Sequence, residues 1–432
     1  MPGLAGRKGR CVLKPYSSRG GRSNTAMQNQ MKTHAGRTTR CMRFFRWIRF
    51  SESHRRGVKK AFGDEVPIQV WGRPGAACEG MRIMRDRSID VGRGVLVLLM
   101  VYGHVLQFFG DAQLFPLVSD LIGVVNLTVF GTFVFYFGAT AELAYLKKPY
   151  FQALPGMVKT GLRAYAAFCL SGIGYRVLRE NKPFAVGTVR RVLTLSDIPG
   201  WSEFLIAFAL YSLLLIVGFA AFRWLAGKPL AALAVGAACV GCCLIVPYGA
   251  VPTPLALLIG GTKFAYFPVV QYMPYFLAGL LYARGERGRL LAAAAACMAA
   301  GAVDFLLHGL PSRFPPDWGW ILLPGLLTAA VVALSRALCA LSGSGVRKIA
   351  DALCGVLGRL GGASLYYLLT SNLVLFTLAG KKIAPVLSAG SVLPWSQPVQ
   401  APLGAACWTV VLLAALGFVS LLAGRGKGHK TA

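Results

Sequence analysis

The chain has 432 residues, of which 55% are hydrophobic and 14% carry a charge. This balance excludes a water-soluble protein of ordinary composition, in which about 25% of residues are charged. The formal net charge of +30 does not indicate nucleic-acid binding, because the cations lie between apolar blocks and at the N-terminus rather than on one globular face. We therefore predict an all-α, polytopic integral membrane protein whose partner is the lipid bilayer.

The positions of the cysteines and histidines limit which metal sites and catalytic sites the chain can form. The 11 cysteines are odd in number and mostly lie inside apolar blocks, as in residues 238–243. No Cys-x-x-Cys pair is followed by a second Cys or His pair at zinc spacing, so we expect no metal site. Of the five histidines, His104 and His308 are the ones that fall in or beside apolar blocks.

Residues 1–80 differ in kind from the rest of the chain. They contain 17 Lys and Arg against four acids, and they have no sustained hydrophobic periodicity, which predicts disorder. Two interpretations remain. The segment is either a basic arm that lies on anionic lipid, with 44–50 as an interfacial patch, or an over-extended gene start whose true first residue is Met81 or Met84.

Residues 81–424 form the predicted transmembrane domain, and residues 425–432 form a basic cytoplasmic tail. About ten apolar blocks of roughly 20 residues match the length that crosses a bilayer. The blocks are 91–109, 119–139, 157–176, 202–222, 229–248, 264–282, 289–308, 319–339, 361–379 and 403–423. The short apolar stretch 250–261 is predicted to be re-entrant or part of a neighbouring span.

Orientation follows from the positive-inside rule. The connection 110–119 contains no Lys or Arg, whereas Lys147, Lys148, Lys159 and Arg163 follow the second block. Both termini are therefore predicted to be cytoplasmic. The connection 175–200 is the exception, because it is predicted outside and is cationic, which indicates either a topology error or a surface for an anionic substrate. Its cations are Arg176, Arg179, Lys182, Arg190 and Arg191.

The first apolar block contains three ionisable residues, and residues of this kind are costly to place in a membrane unless they have partners or a function. Arg93 and His104 are 11 residues apart, about three helical turns, and Asp90 lies one turn before Arg93 on the same face. One interpretation is a polar path into the membrane from Arg93 to His104. The alternative is local: Asp90 pairs with Arg93 at the helix start, and His104 bonds a carbonyl at the far interface.

This block resembles the first helix of the membrane acyltransferase family 3, whose mark is an Arg, ten residues and then a His. Arg93 and His104 match that mark, with Asp90 just upstream. Residues 88–94, Ser-Ile-Asp-Val-Gly-Arg-Gly, are also similar to the heparan-glucosaminide N-acetyltransferase-like membrane proteins. Three further stretches resemble family elements, so that the resemblance covers most of 85–424. They are the aromatic 133–140, the Trp-Ser-Glu-Phe-Leu of 201–205 and the Tyr-Phe-Leu-Ala-Gly of 275–279.

One departure from the family pattern falls in a late span. Where many members have Ser-Leu-Tyr followed by a His, this chain reads from Ser364 to Asn372 with no His. The departure argues against a role for this span in proton transfer.

The resemblance implies transfer of an acyl group, usually acetyl from acetyl-coenzyme A as the donor substrate. The implied acceptor is a hydroxyl of an envelope carbohydrate, a lipid-linked glycan or an exported small molecule, at a bacterial cytoplasmic membrane. His104 would be the general base, Arg93 would bind the phosphate or carbonyl of the donor, and Asp90 would orient Arg93. No Gly-x-Ser-x-Gly elbow is present, so direct transfer is expected, with a transient acyl-His104 as the alternative.

Other residues are candidates for substrate binding, and each has a structural alternative. Glu142 is an acid partner or a helix-end carboxylate paired with Lys147 or Lys148. Trp201 and Glu203 lie where the acceptor would enter, although an interfacial anchor explains Trp201 equally well. Ser371 and Asn372 follow Tyr366, Tyr367 and Thr370 in a polar run whose alternative role is hydrogen bonding between helices.

Two further interpretations stay open. Asp304 and His308 are four residues apart and predict a local hydrogen-bonded pair rather than a catalytic one. The rival to the acyltransferase is a transporter or flippase for a sugar or lipid-linked precursor, in which Asp90, Arg93 and His104 line a conduction path. An inverted repeat would favour that rival. A structural component of an envelope-assembly complex is the third possibility.

Overall fold

A computed structural model describes residues 86–341, 347–380 and 399–425. This part of the chain is mainly helical and contains no β-strand, which confirms the all-α prediction. The two interpretations of residues 1–80, and the tail beyond Arg425, lie outside the described residues.

Fifteen α-helices occur in this part of the chain. In order they are α1 (Arg87–Phe109), α2 (Leu117–Ala141), α3 (Tyr150–Gly174), α4 (Val186–Leu193), α5 (Glu203–Val217), α6 (Phe219–Ala226), α7 (Pro229–Ile245), α8 (Thr253–Ile259), α9 (Met273–Ala283), α10 (Arg287–His308), α11 (Trp318–Leu322), α12 (Gly325–Leu341), α13 (Arg347–Gly362), α14 (Ser364–Gly380) and α15 (Pro402–Arg425). Single π-helical turns extend α2 over Glu142–Leu146 and α3 over Tyr175–Arg179.

Several helices are able to span a membrane, consistent with an integral membrane protein. Among the described residues, five helical segments are long and apolar enough to cross, or up to seven if each bent pair is one span. The five are Arg87–Phe109, Leu117–Leu146, Arg287–His308, Trp318–Leu341 and Pro402–Leu422. The predicted count of about ten spans is not confirmed.

Prolines explain part of the difference in count. The block 229–248 contains a helix of 17 residues that ends at Ile245, two residues before Pro247, because a proline disfavours helical geometry in the residue before it. The block 264–282 contains a helix of only 11 residues, α9, with Pro274 in its first turn. A hydropathy window counts apolar residues and does not detect where their helix breaks.

Two other predicted spans are bent. The block 202–222 is divided between α5 and α6, which meet at 89° across Gly218. The block 361–379 lies in α14, which meets α13 at 78° across Ala363. The break at Gly218 ends α5 and begins α6, whereas the break at Ala363 begins α14, whose first residue, Ser364, is buried.

Helix α1 is the centre of the packing. It contacts α2, α12, α13, α14 and α15, and 67% of its most apolar window is buried, against 11% for α10. Its first turn is capped by Asp86, whose carboxylate accepts from the Ser88 N–H at 2.9 Å and the Ser88 hydroxyl at 2.6 Å. A polar residue on α1 is therefore surrounded by protein on most sides rather than by lipid.

Glycines allow α1 to approach its neighbour closely. A Cβ atom at Gly361 of α13 would overlap the carbonyl oxygen of Asp90, and one at Gly94 would overlap the carbonyl oxygen of Leu357. Small residues at such crossings let two backbones approach in a membrane, where dispersion and polar contacts replace the hydrophobic effect between helices.

We expect Gly361→Ala to destabilise the protein, because the added methyl group forces α1 and α13 apart; overpacking of this kind costs about 1–3 kcal/mol. Gly358 is on the same helix with no atom within 4 Å of a built Cβ, so Gly358→Ala should be neutral or slightly stabilising. Thermal unfolding of both variants in detergent measures the difference. Equal melting temperatures would show that α1 and α13 are not in close backbone contact at Gly361.

Candidate functional site

The side-chain amide of Asn372 connects three elements of the fold and includes His104 and Trp201 in one group of contacts. His104 of α1 bonds Asn372 of α14, with 2.8 Å between the imidazole Nδ1 and the amide oxygen. The Asn372 amide nitrogen donates to the backbone carbonyl of Trp201 at 3.1 Å. The Trp201 ring meets the imidazole edge to face, with 5.2 Å between ring centroids. Asn372 therefore joins α1, α14 and the segment before α5.

These bonds define the protonation pattern of the imidazole. The Trp201 carbonyl only accepts, so the nitrogen of the Asn372 amide must point to it and the amide oxygen must point to His104. An amide oxygen also only accepts, so Nδ1 of neutral His104 carries the hydrogen. The lone pair is then on Nε2, which is the arrangement a general base requires.

Helix α14 also holds Arg93, the other member of the predicted pair. The Arg93 guanidinium donates to the Ser364 hydroxyl at 2.7 Å. Because Arg93 precedes His104 on α1 as Ser364 precedes Asn372 on α14, the two helices run in the same direction. Helix α14, the span that lacks the family's His, therefore contacts both Arg93 and His104, and its Asn372 orients the imidazole.

A cavity of about 240 Å³ lies beside the imidazole, near the C-terminal end of α1. His104, Trp201 and Glu203 line it, so three of the predicted site residues come together. Arg93 and Asp90 do not line it. At 1.5 Å per residue, Arg93 lies roughly 16 Å before His104 along α1, and Asp90 lies about one turn further away.

Two ionisable side chains in this cavity, Glu203 and Arg313, have buried polar atoms without a partner among the described residues. Glu203 is 8% exposed. Among the described residues, neither its Oε2 atom nor the buried Nε atom of Arg313 has a hydrogen-bond partner. Because an unsatisfied buried polar group costs about 1–3 kcal/mol, and more when charged, the pair is suited to a ligand that both donates and accepts hydrogen bonds.

Arg313 is a site residue that the sequence analysis missed. Its guanidinium lies over the rings of Phe314, at 4.6 Å, and Phe267, at 5.3 Å, both of which line the cavity. Burial lowers the pKa of the Arg313 guanidinium below its ordinary value. One signal in the sequence was available, because Arg313 is a cation in a connection that the positive-inside rule predicts to face outward.

Gln107 and Asn126 complete the polar lining of the cavity and were also missed. The Gln107 amide nitrogen donates to the Asn126 amide oxygen at 3.1 Å. This bond leaves an acceptor oxygen on Gln107 and a donor N–H on Asn126 for further contacts. Neither residue is distinguishable by sequence from a polar residue at a helix surface.

The backbone at Trp201 is strained. Its φ angle is +68°, a conformation that is rare for a bulky residue and costs about 1–3 kcal/mol. The hydrogen bond from Asn372 to the Trp201 carbonyl and the ring contact with His104 hold it there. Strain of this kind persists where neighbouring groups over-determine the conformation, and here it sets the orientation of the ring beside the imidazole.

Other predicted site residues lie elsewhere. Glu142 does not line the cavity, and its predicted pairing with Lys147 or Lys148 is wrong: its Oε1 accepts from the Arg284 Nε at 2.8 Å, which joins α2 to the end of α9. The Ser371 hydroxyl donates to the Leu368 carbonyl of its own helix at 3.1 Å and is fully buried.

The predicted pair of Asp304 and His308 is confirmed, with 2.9 Å between Oδ1 and Nδ1. It lies on α10, outside the His104 cavity.

The cationic connection 175–200 is partly neutralised by its own acids. Arg176 pairs with Asp197 and Glu180, and Lys182 pairs with Glu180 at 2.9 Å. Burial raises the pKa of Glu180, but the hydrogen bonds from Arg176 and Lys182 outweigh it and hold that pKa below its ordinary value. The segment therefore presents fewer unpaired cations to an anionic substrate than its composition suggests.

In the described part of the chain, no group of three or more His, Cys, Asp or Glu residues is placed to hold a metal ion. Comparison with protein-family models, with curated proteins and with solved structures found no match. The function of the site is therefore argued from its geometry.

We expect the imidazole of His104 to show a protonated Nδ1 and an unprotonated Nε2 in the ¹⁵N NMR spectrum of histidine-labelled protein. Asn372→Leu removes the acceptor from Nδ1 and should give a mixture of the two tautomers. Ser371→Ala is the matched control, because the Ser371 hydroxyl bonds only its own helix. Loss of the His104 signal in His104→Gln assigns the resonance, and an unchanged spectrum in Asn372→Leu would contradict the hydrogen-bond assignment.

Proposed function

We propose that the protein is an integral membrane acyltransferase that transfers an acyl group, acetyl in the first instance, from acetyl-coenzyme A to a hydroxyl of a carbohydrate or glycolipid. The observation that carries the proposal is the orientation of His104. Its Nδ1 is engaged by Asn372 and its ring lines a cavity, so that Nε2 is available as a base where a substrate fits.

The reaction balances without a further reactant. Nε2 of His104 takes the proton of the acceptor hydroxyl as the oxygen attacks the thioester carbonyl carbon. A C–O bond forms, the C–S bond breaks, and the departing thiolate receives the proton from His104. The acceptor becomes an ester, coenzyme A leaves as the thiol, and His104 returns to its neutral form.

The lining of the cavity supports a polyhydroxylated acceptor. Phe130, Trp201, Phe267 and Phe314 supply aromatic faces, against which the apolar side of a sugar ring can pack. Glu203 can accept from one hydroxyl while Arg313 donates to the oxygen of another, which satisfies the two unpartnered atoms together.

Arg93 is proposed to contact the donor rather than the acceptor. It lies outside the cavity and is held by Ser364, and its forked guanidinium suits a phosphate or carbonyl oxygen. With both termini cytoplasmic by the positive-inside rule, Arg93 is near the inner face and His104 near the outer face of a bacterial cytoplasmic membrane. The donor would then enter from the cytoplasm and the acceptor from the opposite side.

We expect His104→Ala to lower the rate of acyl transfer by about 100- to 10,000-fold, the usual contribution of a general base. His308→Ala is the matched control, because His308 pairs locally with Asp304 and lies outside the cavity. Mass spectrometry of envelope glycans and lipids from cells expressing each variant at equal membrane levels reports the added acetyl group. Full transfer by a normally inserted His104→Ala variant would exclude the proposed base.

Glu203→Gln and Arg313→Gln are expected to raise the KM for the acceptor by about ten- to a hundredfold, since each removes a charge-assisted hydrogen bond. Glu286→Gln and Arg289→Gln are the matched controls, because those residues form an exposed pair with each other. Steady-state kinetics with purified protein separate KM from kcat. An unchanged acceptor KM in both cavity variants would contradict their role in acceptor binding.

One observation favours the transporter or flippase as a second candidate. Broken helices whose ends face a polar site are typical of secondary transporters, and the bend of 78° at Ala363 lies next to Ser364, which accepts a hydrogen bond from Arg93. Uptake of a labelled glycan precursor into proteoliposomes, without a change in its mass, would support transport and oppose acyl transfer.

A further inference from the structure

A second cavity, of about 310 Å³, lies apart from the His104 site and shares no lining residue with it. Its walls come from α10, α11 and α12 on one side and from α2, α7 and α9 on the other. The lining is largely aliphatic or aromatic, as in Leu233, Ala278, Leu291, Ala294, Ile321 and Val332. An apolar groove of this kind fits a hydrocarbon chain.

The groove has cations at one end. Helices α10 and α12 approach each other in opposite directions, because Leu323 contacts Gly301 while Gly325 contacts Ala294. Arg287 at the start of α10 and Arg336 near the end of α12 therefore lie at the same end of the groove, and both line it. Tyr282 joins them there, with the Arg287 guanidinium 5.7 Å from its ring centroid.

The charges of this end are not balanced by acids. Among the described residues, neither Arg287 nor Arg336 has an acid within ion-pair distance, whereas the neighbouring Arg289 pairs with Glu286 at 2.7 Å. An apolar groove that ends in two such arginines is complementary to a molecule with a hydrocarbon tail and an anionic head.

The position of the groove identifies the source of such a molecule. In the apolar window of α10, 11% of the residues are buried, so in a membrane most of this helix would be accessible to lipid. By the positive-inside rule the connection with Arg284, Arg287 and Arg289 is cytoplasmic, and basic pockets between membrane helices on that side bind anionic lipid head groups. We propose that this groove binds one anionic phospholipid, with an acyl chain between α9, α10 and α12 and its phosphate at Arg287 and Arg336.

The test is native mass spectrometry of the delipidated full chain titrated with phosphatidylglycerol or with phosphatidylcholine of the same acyl chains. The wild type should bind phosphatidylglycerol more tightly than phosphatidylcholine. Each of Arg287→Gln and Arg336→Gln should lower that ratio of affinities by about fivefold, and the double variant should lose the preference. Arg289→Gln should retain the preference, because Arg289 does not line the groove. An equal loss of preference in Arg289→Gln would show a diffuse surface charge and overturn the proposal.

A second pair of variants tests the apolar wall. Ala333 and Ala330 are both exposed residues of α12, but only Ala333 lines the groove. Ala333→Trp should weaken binding of both lipids, while Ala330→Trp should not. Unchanged binding in Ala333→Trp, or displacement of phosphatidylglycerol by long-chain acyl-coenzyme A at equal concentration, would overturn the assignment of a phospholipid. The binding assay requires no acyl transfer, so its outcome is separate from that of the proposed reaction.

Discussion

The Asn372 side chain is the contact on which the candidate site depends. Its oxygen accepts from His104 and its nitrogen donates to the Trp201 carbonyl, so one amide sets the imidazole tautomer and holds a strained backbone at φ +68°. Inside a membrane domain, each of these polar groups would be costly without a partner. Loss of the amide would remove the partner of both the imidazole N–H and the Trp201 carbonyl.

The close packing of α1 makes that contact possible. Gly94 and Gly361 let α1 and α13 approach at the backbone, and α14 follows directly after α13 at a bend of 78°. The bend carries α14 alongside α1 in the same direction, which places Ser364 against Arg93 and Asn372 against His104. The two ends of the polar face of α1 are therefore held by one neighbouring helix.

Two cavities with different chemistry lie in the described part of the protein. The first is lined by an imidazole, a carboxyl group and an arginine among aromatic rings, which suits a polar ligand. The second is apolar with two arginines at its end, which suits a lipid. Helices α2 and α9 are joined by Glu142 and Arg284, a pair whose carboxylate is almost wholly buried and whose guanidinium is about one-third exposed. Such a pair favours one arrangement of the two helices, because removing either partner leaves a charge uncompensated.

The sequence by itself determined the class of protein, the apolar first helix, the shared face of Arg93 and His104, and the pairing of Asp304 with His308, since each depends on composition or on helical periodicity within one segment. It also selected Trp201, Glu203 and Asn372, because Trp201 and Glu203 lie at the start of an apolar block and Asn372 belongs to a polar run within one. The tertiary structure decided the rest. Several features depend on which elements approach each other. They are the partner of Glu142, the positions of Gln107, Asn126 and Arg313 in the cavity, and the breaks at Gly218 and Ala363. That approach depends on shape, close contact and the satisfaction of buried polar groups, which local sequence patterns do not record.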